Sequence, residues 1–151
     1  MQSVPPRMLT SMHMQTNKSL RYLNEWPQPN DDDPAELAAK FKSLRFTLHN
    51  NNSLFALKAK RYEDAVKWAG FAIDNFQPDT KDTDKAKAYY RRAQGKIGLK
   101  DQDGGLEDYV EAARLAPADA GIASGLKQLK KTREEAIKAD KKKYKNAFAQ
   151  V

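Results

Sequence analysis

The chain has 151 residues, 40% hydrophobic and 31% charged, with a formal net charge of +7, which fits one domain with a thin core and much solvated helix. It has no cysteine and two histidines, His13 and His49, so disulfides, thiolate metal sites and thiol catalysis are excluded, and no metal or other cofactor is expected. No apolar run approaches the roughly 18 residues needed to cross a bilayer.

The first twenty residues, MQSVPPRMLTSMHMQTNKSL, hold four methionines and no acid. They resemble a weak transit peptide in composition but lack an Arg-rich amphipathic face. Residues 1–17 are therefore expected to be disordered or an atypical N-terminus. Pro27 and Pro29 interrupt the chain after NKSLRYLNEW. In NDDDPAELAAKFKSL, Asp33 reads as an N-cap, Pro34 as the first helical position and Glu36 as the first-turn acid. A helix from Pro34 can run through Leu37, Phe41, Leu44 and Leu48 to Leu57. The run NNNS at 50–53 has poor helix propensity, so packing or function must hold it there.

KAKRY then turns the chain. YEDAVKWAGFAID follows, with Ala65, Ala69, Ala72 and Ile73 at helical spacing, and Pro78 is expected to end it. TKDTD is a loop with Thr83 as its candidate N-cap. A third helix is expected over 84–99, turned by KDQD. GGLEDYVEAARLAP is the fourth, closed by Pro117. Asp119 caps a long last helix, AGIASGLKQLKKTREEAIKADKKKYKNAFA. No segment alternates with period 2, so the fold class is all-α.

The charge is concentrated. Residues 127–145 carry nine Lys/Arg against three Asp/Glu. A solvated basic helix is the plain reading. Calmodulin, nucleic acid or an acidic membrane are the sharper ones. The run holds a single aromatic, Tyr144, and neither nucleic acid nor membrane is expected as a partner.

Two stretches repeat one another. Placing Leu57 over Ile97 sets Tyr62 over Gln102, Ala65 over Gly105, Ala69 over Tyr109 and Ala72 over Ala112, an offset of 40 residues. Each stretch is helix, short turn, helix, with small residues where paired helices cross. The surplus over a 34-residue repeat fits in the QPDTKDT loop. Tyr89, Ala93, Tyr109, Ala112 and Pro117 stand at the signature places of a tetratricopeptide repeat, with Gly105 where alanine is usual. The chain resembles that family. KAYYRRAQG resembles more narrowly the co-chaperone repeats that grip acidic chaperone tails. Residues 18–149, including the ending YKNAFA, resemble the C-terminal part of the large, forty-kilodalton type cyclophilins (the peptidyl-prolyl isomerase D family), most like fungal forms.

The resemblance implies a helical-hairpin array. Its parts are a partial repeat at 18–30, repeats at 34–78 and 83–117, and a basic capping helix within 118–151. It further implies an isomerase barrel ahead of the repeats, which nothing in this sequence matches. The chain therefore resembles a fragment or shortened form, with the first helix of its first repeat also missing. No catalytic activity is expected of it.

KAYYRRAQGKIGL places Lys87 and Arg91 on one helix face, with Arg92 and Lys96 on another. A lysine and an arginine four apart are common on solvated faces. In the clamp-type repeats that the chain resembles, a chaperone's last residues, Glu-Glu-Val-Asp, lie in the concave groove, held by cations and amides. The resemblance puts Lys87 and Arg91 on the lysine and arginine places of the third repeat. It puts Asn51, eleven residues before Tyr62, on the asparagine place of the second. Arginine can fork a carboxylate with two bonds, lysine is a point charge, and asparagine donates without charge. Arg92 and Lys96 are expected to be solvated or packed on a neighbour, Tyr89 and Tyr90 mostly core, Trp68 an inter-helix contact, and Trp26 a contact at the end of the first repeat.

The implied function is a cytoplasmic protein-binding module for the C-terminus of the ninety-kilodalton heat-shock chaperone, with the seventy-kilodalton chaperone as second candidate. The full clamp also uses a lysine and an asparagine from the first helix of repeat one, which this sequence does not offer. Losing two charge-assisted bonds of about 1.5–3 kcal/mol each would weaken binding by roughly two decades or more. The alternatives are the family's prolyl isomerase activity and calmodulin binding by the basic helix.

Overall fold

The computed structural model describes residues 6–25 and 34–149. They form six helices and, among the described residues, no strand: α1 (Pro6–Glu25), α2 (Ala35–Lys58), α3 (Tyr62–Asp74), α4 (Asp82–Gly98), α5 (Gln102–Leu115) and α6 (Ala120–Phe148). Each helix packs on the next in chain order. The densest packing lies within the hairpins α2–α3 and α4–α5 and between α3 and α4. The contact of α2 with α4 shows that first helices of successive hairpins share one face.

Small residues make this packing close. Ala56, Ala65, Ala69, Ala72, Ala86, Ala88, Ala93 and Ala112 are fully buried. The ring of Tyr62 lies against Gly98, where a Cβ would collide with it. Tyr109 likewise fills the space beside Gly125. One core cluster joins Ala86, Ala93, Tyr109, Ala112, Ile122 and Leu129 across α4, α5 and α6. A second joins Phe46, Ala72 and Ala88 across α2, α3 and α4.

The two hairpins turn alike. At the end of α2, Lys60 has φ 56°, Lys60 N donates to Leu57 O at 3.0 Å, and Arg61 N donates to Ala56 O at 2.9 Å. At the end of α4, Lys100 has φ 69°, Lys100 N donates to Ile97 O at 3.0 Å, and Asp101 N donates to Lys96 O at 2.9 Å. Both are Schellman endings with lysine where glycine is usual. Asp101 then caps α5 by accepting from Gly104 N at 2.9 Å. Asp119 caps α6, as expected, accepting from Gly121 N and Ile122 N.

Several expectations are corrected. The start does not stay irregular: α1 begins at Pro6. It is held by contacts distant in sequence, with Leu20 buried and Asn52 Nδ2 donating to Asn17 Oδ1 at 3.0 Å. Helix α2 starts at Ala35 with Pro34 as its N-cap; Asp33, like Trp26, Pro27 and Pro29, lies outside the described residues. Helix α3 stops at Asp74, ahead of Pro78, where Asn75 N turns back to Ala72 O. Thr83 is inside α4, whose N-cap is Lys81 with no side-chain bond. Helix α5 starts at Gln102, two residues before the expected Gly104, because Asp101 supplies its cap. Trp68 makes its inter-helix contact by stacking on His49 at 5.5 Å.

Helix α6 runs back along α5. Ile122, Gly125 and Leu129 face the core near Tyr109, and Arg133 pairs with Asp103 at the opposite end of α5. From Glu134 onward its described side chains are exposed.

Candidate peptide-binding face

The asparagine run sits in the middle of α2, and its three members face three ways. Asn52 is fully buried and turned toward α1 through Asn17. Asn50 is 7% exposed and turned toward α4. Asn51 is exposed. The weak propensity of this segment is offset by bonds to two neighbouring helices. The Ser53 hydroxyl, donating to Asn50 O at 2.7 Å, adds a local one.

Arg91 comes to this point from α4. Its Nη1 donates to Asn50 O and to Asn50 Oδ1, each at 2.6 Å. Burial pushes the guanidinium below its ordinary value, while the carboxylate of Asp84 acts the other way. Lys87, one turn earlier, is exposed and pairs with Asp84 at 3.0 Å. The structure therefore places Arg91 beside the residue next to Asn51, with Lys87 on the same strip of α4. It also shows that Asn51 alone does not account for the asparagine run.

Arg92 and Lys96 belong elsewhere. Arg92 grips Asp108 with two bonds, Nε to Oδ2 at 2.8 Å and Nη2 to Oδ1 at 2.7 Å. Lys96 Nζ lies 2.9 Å from Oδ2 of the same carboxylate and 3.3 Å from Gly104 O. Asp108 is 4% exposed, and Arg92 also stands over the Tyr89 ring at 5.4 Å. These two cations tie α4 to α5. Tyr89 and Tyr90 pack partly buried against the core, with Tyr90 edge-on to Tyr109 and accepting from Gln94 Nε2 at 3.0 Å. Burial, with Tyr90 beside it, pushes the Tyr109 phenol up to about 12. Of the cations in KAYYRRAQGK, Arg92 and Lys96 are thus structural, while Lys87 and Arg91 are left for other work. Sequence reading missed Asp108 and Asn50. The only signal for Asp108 was an acid in the buried register of α5.

Among the described residues no group of His, Asp or Glu is arranged to hold a metal. No described helix is long and apolar enough to cross a membrane.

No protein-family model matches the chain. A peptidyl-prolyl cis-trans isomerase D from Cryptococcus neoformans var. neoformans is 36% identical over 138 residues, covering 89% of this chain and 35% of the relative. One from Mycosarcoma maydis is 33% identical over 146 residues, covering 88% of this chain and 37% of the relative. The chain thus spans about a third of the length of these relatives. Among solved structures, the C-terminal tetratricopeptide-containing domain of a Plasmodium falciparum FK506-binding protein has a TM-score of 0.63 at 18% identity, covering 88% of this chain and 93% of that one. The first such domain of Spaghetti (RPAP3), bound to the HSP90 peptide SRMEEVD, has a TM-score of 0.53 at 14% identity, covering 87% and 98%. The second domain of human RPAP3, in complex with the HSP70 peptide SGPTIEEVD, has a TM-score of 0.51 at 19% identity, covering 83% and 98%. A stack of helical hairpins shared with these domains, and a sequence shared with those isomerases, identify the chain as a tetratricopeptide-repeat array similar to one segment of the peptidyl-prolyl cis-trans isomerase D proteins.

Proposed function

We propose that the chain is a co-chaperone-type binding module whose α2–α4 face takes the acidic C-terminal tail, Glu-Glu-Val-Asp, of the ninety-kilodalton heat-shock chaperone in the cytoplasm. The observation that carries the reading is the meeting of Arg91 with Asn50, the residue before exposed Asn51, with exposed Lys87 one turn along α4 from Arg91. A guanidinium, an amide and an ammonium on one face suit a peptide whose end carries two carboxylates. Domains of the same fold, those of Spaghetti and human RPAP3, are seen with peptides ending in that sequence, which supports the reading. The isomerase activity named for the relatives is not assigned to this segment.

The test is calorimetric titration with SRMEEVD, using the same peptide amidated at its C-terminus as control and Arg91→Ala as companion. Binding that needs both the free carboxylate and Arg91 is expected. A folded chain that ignores the peptide, or binds both forms equally, overturns the reading. Repeating the titration with SGPTIEEVD reads chaperone preference.

A further inference from the structure

Arg91 is held before any ligand arrives. Its Nη1 has two protons, and two oxygens of one residue lie 2.6 Å from that nitrogen. The anchor is itself fixed: Asn50 is 7% exposed, and its main-chain oxygen also accepts from the Ser53 hydroxyl. Nε and Nη2 of Arg91 make no hydrogen bond among the described residues. That leaves one complete edge of the guanidinium, the pair of donors a carboxylate fork requires.

We propose that Asn50 is a positioning residue, which holds the Arg91 guanidinium so that its Nε–Nη2 edge meets a carboxylate of the acidic tail. The inference rests on the reading of the face given above. Three physical points support it. Asn50 uses only Nη1, so it does not compete for the open edge. Its amide is neutral, so it orients the cation without cancelling the charge. An arginine already fixed loses less side-chain freedom on binding than one free to rotate. Lys87 is exposed and paired with Asp84, so it supplies charge without direction. The directional part of recognition then falls on Arg91, and through it on Asn50.

The experiment titrates the full chain with SRMEEVD, comparing wild type with Asn50→Ala, Asn50→Asp, Arg91→Ala and the double variant Asn50→Ala/Arg91→Ala. Asn50→Ala is expected to weaken binding about three- to tenfold, less than the loss of a charge-assisted bond itself, because the guanidinium loses its holder and keeps its charge. Asn50→Asp is expected to weaken it further, because a carboxylate there pairs with the guanidinium. In the Arg91→Ala background, Asn50→Ala is expected to change nothing more. Binding unchanged or tighter in Asn50→Ala, or a loss that persists in full without Arg91, overturns the proposal. Helicity and urea midpoints check folding; if Asn50→Ala does not fold, Asn50→Ser replaces it. The arginine side-chain NMR spectrum of the unliganded protein gives an independent readout. Separate Arg91 Nη signals are expected in wild type and averaged ones in Asn50→Ala, and averaged signals in wild type overturn the proposal. A wild type with separate signals that fails to bind overturns the reading of the face, and the role of Asn50 with it. One that binds but is indifferent to Asn50→Ala overturns the inference alone.

Discussion

Lys60 and Lys100 hold the same place in successive hairpins, each a non-glycine residue in the left-handed region, with φ 56° and 69°. They lie 40 residues apart, the offset that relates the two repeats in sequence. An L-residue there carries a steric penalty of about 1–2 kcal/mol, part of which glycine returns to the unfolded chain as entropy. Lys60→Gly and Lys100→Gly are each expected to stabilise the array by about 0.5 kcal/mol. Thermal unfolding checks this: the midpoint should rise by about 1–2 °C for each, and a fall in both would show the lysines doing something the turn geometry does not reveal.

Alanine for glycine should act in opposite directions at Gly70 and Gly98. Gly70 lies inside α3 with open space where an alanine methyl would sit, nothing coming within 4 Å, whereas at Gly98 the ring of Tyr62 fills that space. Gly70→Ala is expected to stabilise by about 0.5–1 kcal/mol through helix propensity. Gly98→Ala is expected to destabilise by about 1–3 kcal/mol, because the ring has to move in a packed crossing. Urea midpoints of the two variants, measured side by side, decide it.

Asp108 accepts from Arg92 and faces Lys96 at 4% exposure. Removing the carboxylate leaves two cations facing one another. Asp108→Ala is expected to cost about 2–4 kcal/mol. Lys96→Ala should cost less, since it leaves the forked Arg92 pair intact. Equal losses from the two, measured by chemical denaturation, would contradict this division.

His49 stacks on Trp68 and tilts against Phe71. Burial, with Arg45 adding to it, lowers its value from 6.5 to about 4. The folded protein thus binds the proton less readily than the unfolded chain. Stability from this group is fully present above pH 6.5 and is lost as pH falls through about 4. His49→Phe should lessen the decline between pH 7 and pH 4.5 relative to wild type. Identical declines in the two proteins would remove His49 as a cause.

The helices were legible because their signals are local. Alanines at helical spacing marked α3, and Asp119 stands directly before the helix it caps. The N-terminal part of helix α1 was missed because what orders the helix is remote: nothing near Asn17 in sequence announces the bond to Asn52. The face was half legible. Arg91 and Asn51 have spacings that a repeat frame can number. Asn50 looks like one more poor helix former until the crossing of α2 and α4 brings a guanidinium to it. Asp108 was illegible for the same reason: its partners are on another helix, and an acid in an apolar stripe reads as an exception until they are found.

The division of α6 at Glu134 also sets an order of melting. Up to Arg133 the helix is tied to α5 by Ile122, Leu129 and the pair with Asp103. Beyond that point about 15 residues stand on intrinsic propensity, a length at which a helix in water is marginal. Lys141, Lys142 and Lys143 are consecutive there, and their mutual repulsion loosens it further. On warming, amide protons of this outer half should exchange freely while those of α4 are still protected. The protein then carries a basic arm whose helicity follows temperature and salt, on a body that keeps its shape.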